Sequence, residues 1–480
     1  MTDATTQTAA PVLPLPASEH DEFLKVELRG LEAVPDSERH GHPRELFFIW
    51  AAALADFFSF FAGAILVGVI GLGVWDAIVV LVLGALAGGA LIGPLSVTGV
   101  RAGVPQIVFS RLAFGRRGAM VGGLLTMLIA VGWFSYDCAI AVTTVKALPV
   151  FGSGPPSWAV ALLLLAMVAG CILVAVFGHR TITIVQTIQA PVFIALCAVV
   201  AVGLAPKFNP GLGSSLDPAA HLAAALLGFT ATFALIVSWA TYAADYSRYL
   251  PRDSSALSVS LWSGGGSVVT LVICGVLGAL VQSIDPRNQD IAGLIVHNLT
   301  AWLAWTFAAF IVIAEMSSNY LNIYTASLSG LAIGLRLRRW TAALLMGVLG
   351  GGLGAVVLLN ADRFETIYLQ FLTVTYVWFP AWCVVVLVDY WRRGGRIEIA
   401  EITGATNTAR SINWPALATF GLGTAATLLF FQEPGFYQGL GARLLFHDQP
   451  ADISSFIGVG FSAAVFVILL RLQRRLRVTT

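Results

Sequence analysis

Charge is what this sequence has least of. Lys, Arg, Asp and Glu make up 11% of its 480 residues, against 58% hydrophobic, and the mean hydropathy is +0.84. A soluble domain carries roughly 25% charged residues, so this chain lacks the polar groups to coat a water-facing surface and reads as a membrane protein. Net charge is also missing. With 27 Lys+Arg against 26 Asp+Glu the balance is +1, which excludes the basic footprint that nucleic acid requires. Cysteine is sparse: Cys138, Cys171, Cys197, Cys274 and Cys383 are scattered through apolar segments. They lack the close pair spacings of zinc and redox sites and read as small buried hydrophobes. The seven histidines make no metal-ligating spacing either. No Walker loop or H-E-x-x-H element is present, which removes support for ATP-driven pumping by this chain alone and for zinc peptidase chemistry.

What is abundant is long apolar runs. A transmembrane helix needs about 20 mostly apolar residues. Twelve such runs follow residue 44, centred on 45–70, 75–100, 118–148, 158–178, 181–205, 220–244, 257–283, 301–334, 340–360, 365–391, 412–431 and 455–473; they are numbered here as spans 1 to 12. The third and eighth exceed a straight crossing and are expected to tilt or protrude. Residues 1–43 are polar and Pro-containing, without the basic start and apolar run of a signal peptide, and are expected to form a flexible cytoplasmic tail.

Basic loops stay cytoplasmic. With the amino terminus inside, only Lys146, Lys207, Arg287, Arg363 and Arg443 fall on the far side, and the other 22 of the 27 basic residues fall on the cytoplasmic side. Both termini are then inside, and the expected location is the cell (inner) membrane. Spans 1–5 and 6–10 run in opposite orientations, as an inverted repeat requires, although any two five-helix halves would share that property. The expected divisions are the tail at 1–43, a first five-helix repeat at 44–205, a second, inverted one at 206–391, and two additional helices with a cytoplasmic tail at 392–480.

Ionisable groups within a span cost about 2.5–3.5 kcal/mol each at the helix centre and are functional candidates by default. Asp56, Asp137 and Glu315 are the deep ones. Trp133 and Asp137 are four residues apart and share a helix face, which sets a flat π surface beside a hydrogen-bonding carboxylate. That pairing suits a planar ligand with N–H donors; the alternative is packing by Trp133 and a helix–helix pair made by Asp137. Span 6 ends in a Ser238-to-Pro251 string whose poor helix formers around Trp239 permit a break. Asp245 and Arg248, three apart, read as a structural pair or gate latch rather than a catalytic dyad. In span 1, Ser59 and Gly63 tolerate unwinding that frees backbone carbonyls, although a Phe-rich stripe also packs. In span 8, Ser317 and Ser318 with the carbonyl of Ala314 make a hard-oxygen site for sodium, and Asn319 or Asn322 presents an amide to a polar ligand. Isolated Ser and Asn also glue membrane helices together.

Several strings match a known pattern. They are Gly103-Val104-Pro105-Gln106 ahead of Phe109-Ser110-Arg111 and Phe114-Gly115, the Gly132-Trp133-Phe134 triplet, the Ser238-to-Pro251 string, and Asn322-Ile323-Tyr324 followed by Ser327-Leu328-Ser329. Together they resemble the nucleobase:cation symporter family, and within it the purine-cytosine permease branch, over about residues 44 to 475. The resemblance implies an all-α leucine-transporter-like fold of five-plus-five inverted repeats with two extra helices and broken spans 1 and 6. It places Trp133 as the family's stacking Trp, Trp239 as the aromatic closing the sandwich, and Ser238 where a backbone or hydroxyl group meets the ligand. Ser317 and Ser318, with the Ala314 carbonyl, match the sodium-site hydroxyls, and Asn319 and Asn322 bracket the ligand-binding Asn. Asp137 departs from the family's usual Gln or other polar residue, which points to a more cationic substrate or to proton coupling. Asp56 falls where relatives tend to carry Asn.

The expectation is therefore a secondary active importer, not an enzyme, that couples sodium or proton entry to uptake of a planar nitrogen heterocycle. Its partners would be that small molecule and the lipid bilayer, with no nucleic acid and no cofactor beyond the coupling ion. The rivals are an amino-acid carrier of the same fold, a channel and an intramembrane enzyme. A channel needs a repeated ring of selectivity groups, and an enzyme needs a nucleophile–base pair or metal spacing; the sequence displays neither.

Overall fold

A computed structural model describes residues 21–151, 154–288, 290–360, 370–371, 375–403, 411–433, 436–447 and 449–478. Among them helix dominates, and the sheet content is one two-residue antiparallel ribbon pairing Gln432–Glu433 with Tyr437–Gln438. In hydrocarbon each backbone N–H and C=O must be satisfied within its own segment, which a helix achieves. The long apolar runs accordingly fold as Val74–Ala102, Ala119–Lys146, Ser157–Phe177, His179–Leu204, Ala256–Gln282, Ala301–Ala332, Arg339–Leu359 and Ser454–Val478. These are spans 2–5, 7–9 and 12.

Spans 1 and 6 are interrupted. Span 1 consists of Glu45–Ala53 and Phe57–Gly68, set at 60° to one another. Span 6 runs from Pro218 to Val237, then through a tight 3-10 turn at Ala240–Tyr242 into Ala243–Ser247. The break in span 1 falls at Leu54–Asp56 rather than at Ser59 or Gly63, where unwinding was expected. The reason is packing. A β-carbon at Gly63 would lie 1.7 Å from the Gly275 carbonyl oxygen, and one at Gly278 would lie 1.9 Å from the Phe60 carbonyl oxygen. These glycines serve a close crossing of two intact helices, while the chain opens where Asp56 can cap the second half.

Trp414–Phe430 is the short eleventh span. The tenth ends as Phe379–Arg392, and most of its expected first part, 365–369 and 372–374, lies outside the described residues. Spans 3, 7 and 8 are the most buried of the long helices, whereas span 4 turns Trp158, Leu162, Leu165 and Leu173 outward, as a lipid-facing helix must.

The loops gather at two ends. At one end the 21–44 segment meets residues 100–103 and 248–252, with Val34 N–H on the Gly103 carbonyl, His40 N–H on the Tyr249 carbonyl, and Arg101 on the Arg252 carbonyl. Arg393 joins them through the Leu112 carbonyl and Arg117 N–H through Ser411. At the opposite end Val74 N–H meets Leu212 O, and Lys207 meets Asn298. The basic loops around Arg39, Arg101, Arg117, Arg252 and Arg393 therefore share one face of the bundle.

Composition made residues 1–43 a flexible tail. From residue 21 onward the segment is packed instead: Glu27, Arg29 and Val34 are buried, and the strap crosses the basic face.

Candidate functional site

The break in span 1 organises the site. Asp56 has extended backbone and its carboxylate accepts from Ser59 N–H at 2.8 Å, an N-cap that satisfies one of the orphan donors of the second half-helix. Glu315 of span 8 accepts from Phe57 N–H at 2.8 Å and satisfies another. Two carboxyl groups thus occupy the positive end of one half-helix.

Aromatic rings flank the same break. Trp50, before it, meets Trp239 edge-on with ring centroids 6.0 Å apart, and Phe58, after it, meets Trp133 edge-on at 5.1 Å. Trp133 also packs on Phe371 at 5.3 Å, and Trp239 on Tyr242 at 5.1 Å. Both sequence-singled tryptophans therefore border the unwound segment, each held by one half of span 1.

A buried polar chain connects spans 3, 6 and 8. Tyr242 Oη donates to Asn322 Oδ1 at 3.0 Å, and Asn322 Nδ2 donates to Asp137 Oδ2 and to Asn319 Oδ1, each at 3.2 Å. Asp137 and Glu315, the one on span 3 and the other on span 8, are both buried, so two intramembrane acids stand on facing helices. Ser238, at the end of the first half of span 6, donates its hydroxyl to the Leu235 carbonyl at 2.7 Å, which leaves its oxygen lone pairs as acceptors.

Neutral oxygens converge one turn away. Ser318 Oγ donates to the Ala53 carbonyl at 2.8 Å, and Ser317 Oγ to the Ala52 carbonyl at 3.1 Å and to Gln186 Oε1 at 2.6 Å. Ala314, fully buried, lies one turn earlier on the same helix. Sequence reasoning named the span 8 members but missed Ala52, Ala53 and Gln186. Backbone carbonyls carry no residue signature; Gln186 and Gln189, two amides within an apolar helix, were the available signal.

The expected Asp245–Arg248 pair is corrected by the structure. Asp245 accepts from Gln106 N–H at 2.8 Å and from the Thr325 hydroxyl at 2.7 Å. Arg248 reaches instead to Glu27 Oε1 at 2.8 Å, the Gly30 carbonyl at 2.7 Å and the Tyr324 hydroxyl at 2.9 Å. Glu27 also accepts from the hydroxyls of Tyr249 and Tyr324 and from His179 N–H, and its carbonyl receives Arg339 Nε at 2.9 Å. A strap residue that composition had assigned to a mobile tail is the hub joining spans 5, 6, 8 and 9. The tail's composition masked it, because Glu27 has polar neighbours in sequence and acquires buried ones only in the fold.

Interrupted spans around a buried polar cluster are the architecture of a multi-pass transporter of leucine-transporter-like fold. The comparisons agree. Mhp1, a nucleobase-cation-symport-1 family transporter, in its closed form with bromovinylhydantoin bound, superposes with a TM-score of 0.71 over 94% of this chain and 96% of that one at 16% identity. Its inward-facing form gives 0.67 over 93% and 96% at 17% identity. A family model described as permease for cytosine/purines, uracil, thiamine and allantoin matches residues 33–447, and the chain belongs to that family. Relatives include YxlA of Bacillus subtilis, provisionally named a purine-cytosine permease, 27% identical over 94% of this chain and 98% of its own. Another is the purine-cytosine permease fcyB of Emericella nidulans, 25% identical over 93% and 88%.

Proposed function

We propose that this permease imports a nucleobase or closely related planar nitrogen heterocycle by cation-coupled alternating access. The observation that carries the reading is the buried Tyr242–Asn322–Asp137 chain at the break of span 1, bordered by Trp133 and Trp239. The tryptophans clamp the ring, Asn322, Asn319 and Asp137 read its N–H and C=O edge, and the Ser238 oxygen accepts a further donor. Asp56, engaged as a cap, shapes the pocket's charge. An amino-acid carrier of this fold is disfavoured on the same ground. Half-helix N-termini are where such transporters receive a substrate carboxylate, and here Asp56 and Glu315 already fill one, so an incoming carboxylate meets like charge.

For the coupling ion, the carbonyls of Ala52, Ala53 and Ala314 with the hydroxyls of Ser317 and Ser318 form an all-neutral, hard-oxygen set suited to sodium. A second reading, proton coupling, is favoured by the two buried intramembrane acids Asp137 and Glu315, either of which can carry the proton. The basic face is the cytoplasmic one, with both termini inside the cell membrane, and the inverted repeats run over 44–205 and 206–391, followed by two added helices.

Uptake into proteoliposomes tests the proposal, with cytosine, adenine, guanine, uracil, allantoin and hydroxymethylpyrimidine offered under imposed sodium or proton gradients. Saturable accumulation of at least one heterocycle, driven by one gradient, is expected. Accumulation of none, or transport of the true substrate untouched by Trp133→Ala, rejects the aromatic clamp.

A further inference from the structure

Three groups far apart in sequence meet at the end of span 5 nearest the strap. Asp21 Oδ2 lies 2.6 Å from His179 Nδ1 and 3.3 Å from His40 Nε2. The Asp21 and His179 side chains are almost fully buried and His40 is one-third exposed, which leaves an approach from water. The other nitrogen of each imidazole faces a backbone carbonyl, His40 Nδ1 toward Glu38 at 3.0 Å and His179 Nε2 toward Tyr246 at 3.1 Å.

Carbonyl oxygens only accept hydrogen bonds, so each neutral imidazole places its single N–H there. Both nitrogens facing Asp21 then carry lone pairs, and so does the carboxylate. With both imidazoles neutral, three electron-pair donors face one another, and a shared cation is what such a set binds. Imidazoles whose far N–H is anchored on a carbonyl are the usual outer support of metal-ligating histidine, because the anchor fixes tautomer and ring direction. Asp21 Oδ1 is likewise anchored, accepting from Arg180 N–H at 3.0 Å, and the His179 ring is stacked on Tyr249 with centroids 4.3 Å apart.

We propose that Asp21, His40 and His179 form a divalent transition-metal site of the zinc type, separate from the transport pocket. Two imidazoles and one carboxylate, with water in a fourth position, suit tetrahedral Zn²⁺. With metal–ligand bonds of about 2.0–2.1 Å, neighbouring ligands sit roughly 3.3 Å apart. His40 already meets that spacing, and Asp21 and His179 reach it by parting less than an ångström. Asp21 and His40 belong to the strap and His179 to span 5, so the ion staples the strap to the bundle beside the Glu27–Arg248 contact.

The test uses the full chain in detergent, stripped with a chelator and titrated with Zn²⁺ by calorimetry, with Co²⁺ as a spectroscopic probe. One equivalent of Zn²⁺ and the intense visible absorption of tetrahedral Co²⁺ are expected. His40→Ala, the least buried ligand and the substitution least disruptive to folding, is expected to weaken binding roughly tenfold or more, and Asp21→Asn to do likewise. Absence of a stoichiometric site, or binding and spectrum unchanged in His40→Ala, overturns the proposal and leaves a proton-bridged His–Asp–His cluster.

Discussion

At the scale of single residues, Trp133 and Glu27 make opposite demands. Trp133 is half-buried between Phe58 and Phe371, and its proposed work is stacking. Base–aromatic stacking is worth about 1–3 kcal/mol, so Trp133→Ala is expected to raise the substrate Kd roughly 5- to 150-fold, read by radioligand binding on protein that still folds. Glu27 works on stability. It is the anion facing buried Arg248 and lies 3.8 Å from Arg339. Removing one partner of a buried pair typically costs about 3–5 kcal/mol, so Glu27→Ala is expected to lower the melting temperature in detergent well beyond Lys25→Ala, an exposed control. Equal melting temperatures for the two variants would remove Glu27 from the fold's support. Asp137 was legible in the sequence as a costly intramembrane acid; Glu27 was not, because nothing in its local sequence announces burial.

At the scale of elements, the crossing of spans 1 and 7 and the loop before span 12 carry separate expectations. Gly278→Ala forces a methyl group against the Phe60 carbonyl, 1.9 Å from where the β-carbon would lie. Backbone cannot move aside as a flexible side chain can, so a sharp loss of folded, monodisperse protein is expected in fluorescence-detected size exclusion. In the loop, burial pushes the Asp452 carboxyl up to about 7, against hydrogen bonds from Ser454 and Gln432 that favour its charged form. An acid whose folded pKa is raised keeps a proton that the unfolded chain has released. Stability therefore falls as pH rises from the ordinary carboxylate range, near 3.8, toward 7, at up to about 1.4 kcal/mol per pH unit. Thermal melting between pH 5 and 8 is expected to decline with rising pH, and Asp452→Asn to flatten the slope. A residual slope belongs to Glu433, which burial and the neighbouring Asp452 also push up to about 7.

At the scale of the whole molecule, orientation and coupling are the testable properties. The basic loops share one face of the bundle with the strap, so a reporter fused after residue 480 is expected to be active only in the cytoplasm. Activity on the outer side would invert the assignment. Ser318→Ala removes a hydroxyl from the neutral-oxygen set at Ala53. If sodium is the coupling ion, this variant is expected to raise the sodium concentration for half-maximal uptake by roughly tenfold, about 1.4 kcal/mol, within the range of a lost hydrogen bond to a charged group. An unchanged sodium dependence would move the coupling to the Asp137–Glu315 pair.

The sequence by itself determined the membrane setting, the positions of the described spans, the clustering of basic loops and the isolated intramembrane acids. Those follow from hydropathy and charge, which are properties of short windows. The Trp133-to-Asp137 spacing was legible for the same reason, since helical periodicity is local. Only the tertiary structure decided that span 1 opens at Leu54–Asp56, that Ala52 and Ala53 offer carbonyls to Ser317 and Ser318, and that Arg248 abandons Asp245 for Glu27. It alone brought Asp21, His40 and His179 together across 158 residues of chain. Each of these depends on which helices pack against which, and on the need of buried polar groups and opened backbone to find partners wherever the fold places them.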